Sequence, residues 1–189
     1  MMRVVIDACV LYPTVLREII VGLAAEGAFQ PLWSARILSE WGRAVARNLP
    51  EHAALARAEI ALLRARWPMA EIAPAPAIES RISLPDADDR HVLATAIAGG
   101  ADGILTLNRR DFPTRTLARH GLRRLDPDAF LVAALEERPV ILHAVLDRVL
   151  GRACRMSDGR LDRGALLKKA RLTRLRRALG RASGRAGAG

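Results

Sequence analysis

The chain has 189 residues and a mass of 20.6 kDa, with 51% apolar and 26% charged residues, a profile that allows a buried core and excludes a disordered polypeptide. The net charge of +10 is unevenly placed, because residues 1–151 hold 18 Arg, no Lys and 18 acids, whereas residues 152–189 hold 12 basic residues against Asp158 and Asp162. The longest apolar runs, residues 19–25 and 129–135, fall far short of the ~20 needed to span a membrane, and no cleavable signal pattern precedes Asp7.

Residues 3–7 form a β-branched run that predicts a buried strand ending at Asp7. Val15, Leu16, Ile19, Ile20 and Leu23 share one helical face, predicting a helix to about Gly27. Residues 29–33 read as extended, after which Ser34 is placed to cap a helix carrying Ile37, Leu38, Trp41 and Val45. Pro50 interrupts, a second helix runs from Glu51 to about Arg66, and Pro74 and Pro76 make residues 71–77 a connection or an edge strand. An acidic loop over 84–89 leads into a small-residue helix over 90–98 that Gly99 and Gly100 end. A strand over 103–107, a short helix from Pro113, a strand over 122–125 and helices over 129–136 and 139–150 follow. Alternating strands and helices predict an α/β fold with a mostly parallel sheet. Leu161, Ala165, Leu172, Leu175 and Leu179 predict one helix over 161–179, and residues 180–189 are Gly/Ala/Arg low complexity, expected to be disordered.

Cys9 and Cys154 cannot build a disulfide framework, and the four histidines lack metal-ligand spacing, so a reduced, cytoplasmic setting without a zinc site is expected. Chemistry falls to the acids. Asp7 sits at a strand's carboxyl end, where open parallel sheets place their sites, although it could equally cap the next helix or pair with an Arg. Asp86, Asp88 and Asp89 crowd four positions. One of them can serve as an N-cap, but three carboxylates repel one another unless a cation lies between them. Glu40 borders the apolar face of its helix, and a solvated position at that border is the other reading. Asn108 and Asp111 follow the strand over 103–107 and emerge at the same rim as Asp7 if the strands are parallel. Hard cations such as Mg²⁺ or Mn²⁺ take oxygen ligands and can activate a water at a phosphodiester. GxSxG, P-loop and GxGxxG motifs are absent from the sequence, and Cys9 stands where a haloacid-dehalogenase-type phosphatase would need its second Asp.

Residues 4–13 (VVIDACVLYP), 33–41 (WSARILSEW), 84–96 (LPDADDRHVLATA) and 105–113 (LTLNRRDFP) together resemble a PIN domain, and more narrowly the VapC-type toxin ribonucleases of type II toxin–antitoxin systems. The resemblance covers about residues 2–130. It implies an α/β/α sandwich around a mostly parallel sheet, with a Mg²⁺- or Mn²⁺-dependent ribonuclease centre, an RNA substrate and a cognate antitoxin protein. Related toxins commonly dimerise, so a homodimer is implied as well. Carried over by position, the family's first acid is Asp7, the second Glu40 and the third Asp89, with Asp86 as an additional acid. The fourth position holds Asn108, a neutral amide, with Asp111 one turn on as its substitute and Thr106 in support. Asn108 also keeps open a PIN-fold RNA-binding protein with weakened cleavage.

The expected organisation is a catalytic domain over 1–130, a helical extension over 131–179 and a basic tail over 180–189. The basic region has three readings: an amphipathic helix that docks its leucines and solvates its arginines, an arm for RNA phosphates, or a contact for an acidic partner. Its apolar stripe is interrupted at Lys168, which disfavours a membrane surface.

Overall fold

Five strands and eleven α-helices make up the described part of the chain, residues 1–156 and 161–186, in this computed structural model. In chain order they are β1 (Arg3–Ile6), α1 (Ala8–Leu11), α2 (Thr14–Ala25), β2 (Gln30–Ser34) and α3 (Ala35–Asn48). A 3-10 turn at Pro50–His52 leads to α4 (Ala53–Arg66), β3 (Glu71–Ile72), α5 (Pro76–Glu79), α6 (Arg90–Ala98) and β4 (Gly103–Leu105). Then come α7 (Thr114–Ala118), β5 (Arg123–Leu125), α8 (Pro127–Glu137), α9 (Pro139–Met156), α10 (Arg163–Lys169) and α11 (Thr173–Ala186). No helix among the described residues is long and apolar enough to cross a membrane.

The chain divides into two compact units, one of Met1–Tyr12 and Phe29–Leu125, the other of Pro13–Ala28 and Asp126–Gly189. The first contains the sheet, ordered β3-β2-β1-β4-β5, with every pairing parallel. This is the α/β/α class read from the sequence. Val4, Val5 and Ile6 of β1 are fully buried, as befits a strand covered on both faces. Ser34 ends β2 and caps α3, its Oγ accepting from the Ile37 amide at 3.3 Å. β4 needs glycine at its start, because a Cβ on Gly103 would lie 2.7 Å from the Arg123 carbonyl oxygen of the neighbouring strand.

The sheet order fixes where a site can form. From β1 the chain builds to one side through β2 and β3, then returns to the other side with β4 and β5. The order therefore reverses between β1 and β4, and at such a reversal the loops leave the strands' carboxyl ends in opposite directions and open a crevice. Ile6 is in register with Leu105, so the residues that follow, Asp7 and Thr106, enter that crevice side by side.

The second unit is helical. α2 packs on α9 so closely that a Cβ on Gly22 would meet Val145 Cγ1 at 2.7 Å, and Arg148–Glu26 and Arg152–Glu18 pair at 2.7 and 3.2 Å. The single helix expected over 161–179 is two, α10 and α11. The break falls at Arg171, whose φ of +59° lies in the left-handed region that a continuous helix excludes. Both pieces have their first turns capped by carboxylates. Asp162 Oδ1 accepts from the Ala165 amide at 2.7 Å, and Asp128 of α8 accepts from the Arg174 and Leu175 amides at 2.8 and 2.9 Å. Leu166, Leu167, Leu172, Leu175 and Leu179 are buried. α11 continues past Gly180, where low complexity suggested disorder, to Ala186; residues 187–189 of that expected tail lie outside the described residues.

Candidate metal centre

Every sequence-expected site residue belongs to the first unit. Asp7 is the N-cap residue of α1, yet its side chain makes no capping bond, which removes the capping reading of this carboxylate. Instead its Oδ2 accepts from the Thr106 hydroxyl at 2.6 Å and from the Cys9 thiol at 3.0 Å. The Thr106 oxygen in turn accepts from the Asn108 amide at 3.0 Å, and the Cys9 sulfur from the Leu107 amide at 3.2 Å. Asp7 is 6% exposed and Thr106 1%, so these bonds form in a poorly solvated pocket where they orient strongly. Both of these side-chain donors fall on Oδ2. Burial, then the neighbouring Asp7 charge, pushes the Cys9 thiol up to about 12. Cys9 is therefore a protonated donor rather than a nucleophile.

The acidic loop delivers its carboxylates at the start of α6. Asp89 is the N-cap residue there and, like Asp7, makes no side-chain capping bond. Asp86 Oδ1 accepts from the Asp88 amide at 2.9 Å, which turns the loop, and the Asp88 carbonyl accepts from Arg36 at 3.3 Å. Across the crevice, the Asn108 side-chain amide donates to Asp89 Oδ2 at 3.1 Å and to Asp111 Oδ2. The loop that carries both residues is anchored by buried Phe112 and by Arg124, which donates at 3.0 Å to the Arg109 and Phe112 carbonyls.

One carboxylate oxygen each from Asp86, Asp89 and Asp111 lies within 4.8 Å of the others. Burial raises the Asp89 pKa to about 6, helped by the charges of Asp7, Asp86 and Asp111 and opposed by His91. Two residues beyond Asp89, buried His91 places Nε2 3.0 Å from Glu40 Oε1, and Arg36 Nε reaches the same oxygen at 3.1 Å. Burial works against the Glu40 charge, but His91 first and Arg36 second outweigh it and hold this carboxyl below its ordinary value. Glu40 thus stays ionised, fastened through Oε1. The structure brings Asp86, Asp89 and Asp111 into one group, sets Asp7 close enough to charge it, and joins Glu40 to it through His91. Sequence reasoning missed Cys9, His91 and Arg36 as members of the centre; their only signal was nearness to the acids along the chain or one helical turn away.

An all-oxygen set of carboxylates suits a hard divalent cation better than a soft one. The raised Asp89 pKa reflects burial first and then the neighbouring carboxylates of Asp7, Asp86 and Asp111. The sequence profile of the PIN domain family matches residues 3–110, more than half of the chain, a span that includes Asp7, Glu40, Asp86, Asp89 and Asn108. Neither a search of curated proteins nor one of solved structures found a match.

Proposed function

Since the chain belongs to the PIN domain family, whose fold is of the nuclease type, we propose that it is a divalent-metal-dependent endoribonuclease cutting RNA phosphodiester bonds at the Asp86–Asp89–Asp111 group. The observation that carries this reading is the gathering of three carboxylates beside Asp7, with neither helix-starting aspartate used to cap its helix. A bound Mg²⁺ or Mn²⁺ would supply Lewis-acid charge, lowering the pKa of water and steadying the oxygens around phosphorus.

The chain's own residues do the rest. Asp89 and Asp7 would hold the ion, and Asp86 and Asp111 would complete the set directly or through water. Thr106 and Cys9 fix the rotation of the Asp7 carboxylate through its Oδ2. Asn108 bridges Asp89 and Asp111 with a neutral donor, reducing their repulsion without taking a ligand's place. Glu40, kept anionic by His91 and Arg36, is the group available to accept a proton from attacking water or orient it.

The finer reading, a VapC-type toxin held in check by a cognate antitoxin and able to pair with a second copy, is supported by the four ordered motifs. Incubation of RNA with the purified chain in Mg²⁺ or Mn²⁺ tests the nuclease. Cleavage should stop with EDTA and in Asp7→Asn or Asp89→Asn. Cleavage that persists in both variants would place the chemistry elsewhere. A wild type that binds RNA but never cuts it would favour the weakened RNA-binding protein that Asn108 allows.

A further inference from the structure

The basic segment settles into a shape that its composition did not reveal. Leu175 and Leu179 are buried along one side of α11, as is Leu172 just before it, and Arg174, Arg177 and Arg181 are exposed. At 100° per residue the three arginines, spaced i, i+3, i+7, form a stripe on the pole opposite the leucines. Lys168 and Lys169 at the end of α10 and Arg176 on α11 are exposed too, and the sequence holds no acid after Asp162.

Helix stability does not explain this placement. Cations favour the last turn of a helix and oppose the dipole in the first. The two lysines obey that preference. Arg174, Arg176 and Arg177 violate it, sitting within the first five residues of α11, which has no acid of its own in its first turn. Like charges at i, i+3 and i, i+4 add repulsion. The carboxylate that satisfies the α11 amides is brought from α8 by Asp128, and among the described residues none of these arginines has an ion pair. A docked helix whose outer face accumulates cations against its own dipole is suited to an external polyanion.

We propose that the outer face of α10 and α11 binds the phosphate backbone of RNA, without reading its bases. Phosphates spaced along a strand match a stripe of point charges and release counterions on binding. Aromatic side chains are absent from residues 157–189, so base stacking has no platform there. This proposal adds a substrate contact to the ribonuclease reading but does not depend on cleavage, because binding can be measured in EDTA.

The test is the salt dependence of binding of a fluorescent single-stranded RNA to the full chain in EDTA. It compares wild type with Arg174→Gln/Arg177→Gln/Arg181→Gln, whose folding is checked by its melting curve. Loss of three phosphate contacts should flatten the plot of log affinity against log salt by about 2, at ~0.7 per contact. A second variant, Lys168→Gln/Lys169→Gln, leaves α11 intact and should flatten the plot by about 1.4. Slopes unchanged in both overturn the proposal. So does polyglutamate displacing the RNA at equal charge concentration, which would assign the face to an acidic protein. If the slopes hold while the wild type still cuts RNA with Mn²⁺, the face fails and the nuclease stands. If the slopes flatten but no metal supports cleavage, the nuclease fails and the face stands.

Discussion

Asp86 and Asp89 from the loop before α6 meet Asp111 from the loop after β4, with Asn108 bridging Asp89 and Asp111; on α11, arginines at three positions stand out from a buried leucine stripe. Both regions concentrate one sign of charge where the fold gains nothing from it. They differ in how the cost is carried. Asp89 and Asp111 are half-buried and Asp86 is exposed, and the cost appears as an Asp89 pKa raised to about 6. The arginines are solvated and screened, so the cost is spread thinly along a helix fixed by its leucines and by Asp128. The lesson is that a charge cluster points to its partner by depth. A half-buried acidic group fits a small cation, while an exposed basic face fits a long polyanion.

The comparison breaks most sharply at Asp89. Asp89→Asn should lower metal-dependent RNA cleavage at least about 100-fold, equivalent to about 2.7 kcal/mol of transition-state stabilisation. The melting temperature of the metal-free protein should not fall, because the substitution removes a repelled charge. A variant that loses activity and also melts well below wild type would make Asp89 a structural residue. Leu175→Ala attacks the other region. It should destabilise the second unit by about 2–5 kcal/mol in thermal unfolding while leaving the affinity of the first unit for Mn²⁺ unchanged. Equal weakening of metal binding would erase the division of labour.

Smaller effects sharpen the contrast. Asp89 has a folded pKa above its unfolded one, so the native state holds the extra proton between about pH 4 and 6. The metal-free protein should therefore lose stability as pH rises through that window, and Mn²⁺ affinity should rise across it as the proton stops competing. A melting temperature that rises with pH in chelator over the same window contradicts the clustering. His91→Gln removes the imidazole that fastens Glu40 and should cut kcat about tenfold with KM little changed, the signature of a group acting on the chemical step. A pure rise in KM would reassign His91 to substrate binding.

Much of the fold was legible because its signals are local. The β-branched run of β1, the Ser34 cap and the glycines after α6 each announce an element within a few residues. The single turn of α1 was invisible, since Ala8–Leu11 is too short to show a period. The break between α10 and α11 was hidden because leucine and arginine spacing continues through it, and Arg171 occupies a conformation usually left to glycine. At the centre, the identities of the acids could be read along the chain but their states could not. That Asp7 and Asp89 forgo capping depends on Thr106 and Asn108, which lie 99 and 19 residues away from them. The membership of His91 and Arg36 depends on α3 and the start of α6 meeting in three dimensions.

The central claim is that this carboxylate group holds a divalent cation. Calorimetric titration of Mn²⁺ into the metal-free chain at pH 7.5, for wild type and Asp89→Asn, tests it most directly. Saturable binding by the wild type that weakens at least about tenfold in the variant, a loss of about 1.4 kcal/mol, is the result predicted. Equal affinities in the two proteins would contradict it.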